Sequence, residues 1–390
     1  MKIAYILENR VQNWLKYEVD AMTDLGVELS VYPNNPALYR EFDKAGNLPA
    51  RSISDDIYAA TKVIFKNPME SLDLFLKVKG HVGTKIAVVG LSLASRIRET
   101  DTNLLFAHFA SGPAASAWMI SRLTGLPFGF TAHAYDIFKD SVDRDFLREK
   151  CEGASFIRCI SEYNRRYLTK ITGVEEEKFP VIHCGLDTER FKPRSSDEIK
   201  YKSGNIILVV ANLVPKKGLK YLIEALSSPM LKELGARAII LGDGPLRDGL
   251  VALATELGAD VKFMGNISNE EVGYYYDSAT VFILPSVKAP DGDMDGIPVA
   301  LMEAMASGVP VISTNISGIP ELIEDGKGGI LVPEKDPKAL AEAIKVILTD
   351  VDIRERFSIE GRKKVIRDFD IRDVAKKLHR LFSSHLSEGE

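Results

Sequence analysis

The stretch TVFILPSVKAPDGDMDGIPVALMEAMASGVPVIST, residues 280–314, decides the fold. It opens on Thr280–Ser286, an apolar run of strand length, and passes into a polar loop. A helical run then begins beside Pro298 and stops at Gly308, before a second strand-like run, VPVIST. Pro near the first helical position and Gly just past the last are the expected punctuation of a helix. Strand, helix and strand in that order make a unit of a parallel sheet. The helix is apolar nearly all round, so it is a buried one, and Glu303 is the charge in its middle. A buried carboxylate is costly unless paired or bound. Two readings follow: an ion pair to a Lys or Arg, or a carboxylate that accepts two ribose hydroxyls. The second accounts better for the burial. Ligands of open α/β sheets bind where strands end and helices begin. There the helix N-terminus favours anions, and Gly296 lets a phosphate come close to the backbone. Asp291–Gly308 therefore reads as a nucleotide grip.

Other uses of the acidic run fit less well. DGDMDG (291–296) starts like a calcium loop, but the position that needs Glu holds Met302, and Glu303 comes one residue late. A metal-holding DxD belongs to a transferase fold without two alternating α/β halves. No metal is expected. The first turn, ENRVQNW (8–14), has no glycine, and GDGPLRDG (242–249) lacks the third glycine of a dinucleotide fingerprint at its spacing. There is no GxxxxGK[ST], which excludes a P-loop.

Outward from residues 280–314 the alternation continues. Strand-like runs are KIAYIL (2–7), VELSVYP (27–33), NLLFAHF (103–109), GFTAHA (129–134), FIRCIS (156–161) and KFPVIH (178–183). After a polar break, FKPRSSDEIKYKSGN (191–205), come NIILVVAN (205–212), ARAIILG (236–242), VKFMG (261–265) and GGILVP (328–333). The break reads as a linker. The expected domains are 1–190 and 191–370, with 371–390 free to rejoin the first. Arg356–Leu386 reads as one long charged helix.

At 390 residues the chain exceeds what one core usually serves. A net charge of −5 argues against a nucleic-acid partner. Cys151, Cys159 and Cys184 form no CxxC pair, as expected of free thiols in a reducing cytoplasm. The N-terminus is too brief for a signal peptide, and no run reaches membrane-span length. The chain thus reads as soluble and cytoplasmic. One segment allows a second reading: Lys62–Arg98 holds seven Lys and Arg against two acids. It is either a solvated helical face or a docking face for the inner membrane surface. No heptad or repeat sets an oligomeric state.

Asp295 and Glu303, eight residues apart, resemble the acidic-x7-Glu signature of retaining glycosyltransferases of the two-Rossmann type (GT-B architecture), family 4. The continuation through Pro333 is similar to that family almost position for position. So are ANLVPKKGL (211–219), LGDGPLR (241–247), FMGNIS (263–268), FTAHAYDIF (130–138), SEYNR (161–165) and HCGLD (183–187). The likeness is nearest to members that build bacterial exopolysaccharide.

That resemblance implies two Rossmann-like domains with the active site in the cleft between them. The donor is a UDP- or GDP-sugar, used without a cofactor, and the acceptor is a glycan, lipid-linked or small molecule. Glu303 would hold the ribose and Asp295 the sugar hydroxyls. The backbone of Gly296, Ile297 and the neighbours of Pro298 would meet the diphosphate. Lys217 would neutralise that diphosphate as it leaves, and Met264 and Gly265 would lie beside the base. His133 would lie by the transferred sugar, and His108, Asn13 and Trp14 would serve the acceptor side. Where the family usually has Arg, this chain has Asn212, which still donates a hydrogen bond to the donor. A nucleotide-sugar epimerase or phosphorylase on the same fold, or a sugar-nucleotide-binding protein without turnover, stays open as an alternative.

Overall fold

In a computed structural model of the chain, the described residues are 1–8, 13–33, 53–193, 205–268 and 270–386. Most of the expected linker, 194–204, lies outside them, as does the tail from 387. The chain divides into two compact units. The first is Met1–Gly185 with Ile371–Glu390, and the second is Leu186–Asp370.

The first unit holds strands β1 (Lys2–Leu7), β2 (Glu28–Pro33), β3 (Leu104–His108), β4 (Phe128–Ala132) and β5 (Phe156–Cys159). Its helices are α1 (Asn13–Asp24), α2 (Ile53–Lys66), α3 (Pro68–Val82), α4 (Thr84–Ile97), α5 (Gly112–Thr124), α6 (Tyr135–Phe138), α7 (Arg144–Gly153) and α8 (Glu162–Thr172). The strands are all parallel, in the order β2-β1-β3-β4-β5. Each of β3, β4 and β5 is buried along its whole length. That explains why these strands read as unbroken apolar runs rather than alternating ones.

The second unit holds β6 (Ile206–Val210), β7 (Arg237–Leu241), β8 (Val261–Gly265), β9 (Val281–Leu284), β10 (Val311–Thr314) and β11 (Gly329–Val332). Its helices are α9 (Leu219–Leu226), α10 (Pro229–Glu233), α11 (Arg247–Leu257), α12 (Val272–Ser278), α13 (Val299–Ala306), α14 (Ile319–Leu322), α15 (Pro337–Thr349) and α16 (Val351–Phe369). This sheet is also parallel, in the order β11-β10-β9-β6-β7-β8. Strand order reverses between β1 and β3 in one sheet and between β6 and β9 in the other. Such switch points open crevices at the carboxyl ends of strands.

Two expectations need correction. KFPVIH makes no ladder: Val181 forms a lone bridge to Cys159, because Pro180 has no N–H to continue one. The terminal segment is two helices, not one. It breaks at extended Asp370, beyond which α17 (Ile371–Leu386) begins. The break is held by Leu186, whose amide donates to the Phe369 carbonyl at 2.8 Å, and by the Thr188 hydroxyl on the Asp370 carboxylate. Beyond it, α17 packs on α1 and sends Phe382 against Tyr5 and Phe106 of the first sheet.

Candidate donor and acceptor sites

Most of the second-unit residues singled out by sequence gather where β6 and β9 end, and those of the first unit lie beyond the carboxyl ends of β1, β3 and β4. In the second unit, the loop after β6 carries Lys216 and Lys217 in a single 3-10 turn, and the loop after β9 carries Asp293 and Asp295. Gly218 closes the turn with φ +63°, and a Cβ there would lie 1.9 Å from the Pro285 carbonyl oxygen. Only glycine lets these two loops cross so closely.

The crossing brings the charges together. Lys217 Nζ lies 2.9 and 2.8 Å from the two oxygens of Asp295. Lys216 Nζ lies 3.1 Å from Asp293 Oδ1 and 3.6 Å from Asp295 Oδ1. The Ser286 hydroxyl donates to Asp295 Oδ2 at 2.8 Å. Burial alone would raise the Asp295 pKa, but Lys217 and then Lys216 hold it below the ordinary carboxylate range. The expected sugar acid and the expected diphosphate cation thus neutralise one another.

Glu303 is different. It sits in α13, half-buried, and accepts from the Tyr276 hydroxyl at 2.9 Å. No ion pair holds it, so the salt-bridge reading of this residue fails among the described residues. Burial pushes its pKa up to about 7, against the opposing pull of Tyr276 and Arg190. It lines a pocket of about 260 Å³ whose wall also carries Asn212, Lys217, Gly242, Asn266 and Ile267. Met264 and Gly265 end β8 just before Asn266 and do not themselves line the pocket. Gly296, Ile297 and Pro298 are buried at the start of α13, where Pro298 is the N-cap, and they too are outside its lining.

In the first unit, His133 follows β4 and is 7% exposed. Its ring lies between Phe109, at a centroid distance of 4.3 Å, and Trp14, at 4.9 Å. Burial, helped by nearby His108 and Arg158, pulls its pKa well below the usual range, so the imidazole is neutral at pH 7. Its Nδ1 lies 4.0 Å from the Cys184 sulfur, and its Nε2 is buried without a hydrogen-bond partner.

His108 is fully buried, its Nε2 3.2 Å from Glu18 Oε1. The other Glu18 oxygen accepts from Arg158 at 2.6 Å. Burial would raise the Glu18 pKa, but Arg158 and His108 hold it far below the usual range. His108 therefore belongs to an internal charge cluster. Trp14 is buried against both histidines. Asn13 opens α1, and its side chain lies outside the described residues.

Sequence reasoning passed over Lys216, Ser286, Tyr276, Glu18 and Arg158. Arg158 alone left a visible signal, a charge inside the strand-like run FIRCIS.

Comparison with known proteins gives the arrangement its context. Residues 192–364 match the family model described as glycosyl transferases group 1, and residues 79–190 match glycosyltransferase family 4. The putative colanic acid biosynthesis glycosyltransferase WcaL of Escherichia coli K12 is 42% identical over 219 residues, 54% of this chain and 52% of WcaL. The amylovoran biosynthesis glycosyltransferase AmsK of Erwinia amylovora is 46% identical over 173 residues, 43% of this chain and 42% of AmsK. The chain thus spans about half the length of these curated relatives. Among solved structures, Anabaena HepE in complex with UDP-glucose superposes with TM-score 0.74 at 18% identity, covering 98% of this chain and 100% of HepE. Two matched models side by side, one per α/β half, show that the chain belongs to the family 4 glycosyltransferases of GT-B architecture.

Proposed function

We propose that the protein transfers a sugar from a nucleotide-diphosphate sugar, a UDP- or GDP-sugar, to a glycan or lipid-linked acceptor during polysaccharide assembly, with retention at the anomeric carbon. The observation that carries this reading is the pocket in which Glu303, in no ion pair among the described residues, and Lys217 share one wall. Glu303 accepts the ribose hydroxyls. Lys217, with Lys216 behind it, leaves Asp295 for the diphosphate as negative charge develops there, which is where a fixed cation accelerates departure. Asp295, released, accepts hydroxyls of the sugar. These two lysines supply the positive charge at the leaving group, and the mechanism needs no metal. The second unit holds the donor, and the first supplies His133 and the acceptor site.

A thermal-shift panel of UDP-, GDP- and ADP-sugars tests this. The true donor should stabilise the protein by about 2.7 kcal/mol at a hundred times its Kd. A panel in which no nucleotide sugar raises the melting temperature would sink the reading.

The exposed outer surface of α2 and α3 supports peripheral association with an anionic membrane. Phe65 is 85% and Met69 80% exposed, with Tyr58, Leu72 and Leu76 also exposed, among Lys62, Lys66 and Lys79. No helix among the described residues is long and apolar enough to cross a membrane. Apolar side chains set among lysines suit the headgroup boundary, each lysine adding about 1 kcal/mol near an anionic surface. The protein should co-sediment with vesicles containing phosphatidylglycerol and be released when both Phe65 and Met69 are changed to Ser. Equal sedimentation of wild type and the double variant would contradict this surface.

A further inference from the structure

The first unit contains a second pocket, of about 220 Å³, that the donor reading does not use. Its wall brings together Ser111, Tyr135, Asp136, Lys139, Phe146 and Lys150. Lys150 is the unusual member. It is only 4% exposed, and no carboxylate lies within ion-pair distance of it among the described residues. Its ammonium donates to the Ala110 carbonyl and rests 4.7 Å from the centre of the Phe146 ring. Burial lowers the pKa of this ammonium to about 8 and outweighs the attraction of Asp136 and Asp143 from beyond ion-pair distance, so most of its desolvation cost remains.

The carboxylates in the same wall are already occupied. Asp136 takes the amides of Ala110 (2.7 Å), His133 (3.2 Å) and Ala134 (2.7 Å). Asp143 caps α7 through the Phe146 amide at 3.0 Å and pairs with His81. Glu8, near the rim, accepts from the hydroxyls of Ser111 and Tyr135. The pocket also abuts the start of the thirteen-residue helix α5, where Ser111 gives no side-chain cap. The positive end of that helix adds to the charge of Lys150.

We infer that this pocket receives the phosphate group of the acceptor, with Lys150 as its buried counter-ion. The inference deepens the transferase reading by giving the acceptor a chemical class, a phosphate ester. Lys150 acts as a binding residue. A phosphate oxygen supplies the charge-assisted hydrogen bonds that the ammonium lacks, and Lys139 closes the rim. The ester is that of a lipid phosphate or of a sugar phosphate; both present the same group to Lys150.

The test uses the full chain with UDP and GDP both present in excess, so that a phosphate probe cannot report the donor pocket. Farnesyl phosphate, glucose 1-phosphate and inorganic phosphate are titrated by calorimetry into wild type, Lys150→Met and Lys150→Arg. At least one ester should bind wild type. Lys150→Met should weaken it about 30-fold, as expected for removing one partner of a buried charge pair, while Lys150→Arg should stay within about threefold. The tighter of the two esters identifies a lipid or a sugar acceptor. Equal binding to wild type and Lys150→Met, or no binding of any probe, overturns the inference. Thermal unfolding of Lys150→Met shows that it is folded, and the arginine variant keeps the test open if it is not. Failure here leaves nucleotide-sugar binding intact, whereas failure of nucleotides to bind leaves the phosphate result standing.

Discussion

His133→Ala is expected to lower the rate of sugar transfer by about 10²–10³-fold while leaving donor affinity within about threefold. The reason is the location and state of the side chain. It lies in the first unit, at the end of β4, whereas the donor pocket is lined by second-unit residues. Its ring is buried between Phe109 and Trp14, is neutral, and presents a nitrogen with no protein partner. A neutral imidazole fixed in this way can hydrogen-bond the sugar without the cost of desolvating a charge. Because burial holds its pKa below the ordinary value, raising the pH from 7 to 8 should not change its protonation. Steady-state kinetics with the matched donor and acceptor check this. Wild-type turnover by the variant would remove His133 from the reaction, and a parallel loss of donor affinity would assign it to the wrong substrate.

Glu303→Ala is expected to weaken donor binding by about 100-fold, because each ribose hydroxyl bonded to a carboxylate contributes about 1.5–3 kcal/mol. The same carboxylate predicts a pH dependence of known sign. Its folded pKa, about 7, is raised above the ordinary value, so at low pH it carries a proton. As a fold-stability effect, this raised pKa favours the native state below the unfolded value and is lost as pH rises through about 7. Binding runs the other way, since the ionised form is the acceptor for hydroxyls. Nucleotide-sugar affinity should therefore fall about tenfold from pH 8 to pH 6. The diphosphate diester of the donor does not titrate in that range, so the slope belongs to the protein. Glu303→Gln should flatten it.

Some of this was legible in the chain itself. Among the described residues, each of the eleven strands that form ladders falls on one of the strand-like runs, most plainly β3, β5 and β9, where burial along the whole length removes alternation. Asp295 and Glu303 were found because they flank one helix start, and eight residues of spacing suffice to place them. The partners that define their chemistry were not legible. Lys216 meets Asp293 across 77 residues, Tyr276 reaches Glu303 across 27, and Arg158 meets Glu18 across 140. Those pairings come from sheet order, which local periodicity does not encode. Lys150 was not singled out at all, and only the packed structure shows that α7 turns this lysine inward. The break at Asp370 was hidden because its cause is the distant segment Leu186–Thr188.

The central claim is that the second unit grips a nucleotide sugar through Glu303. Calorimetric titration of the donor that most stabilises the protein, into wild type and Glu303→Ala at pH 8, tests it most directly. The account predicts one-to-one binding to wild type and affinity about 100-fold weaker in the variant. Equal affinity in the two proteins would contradict it.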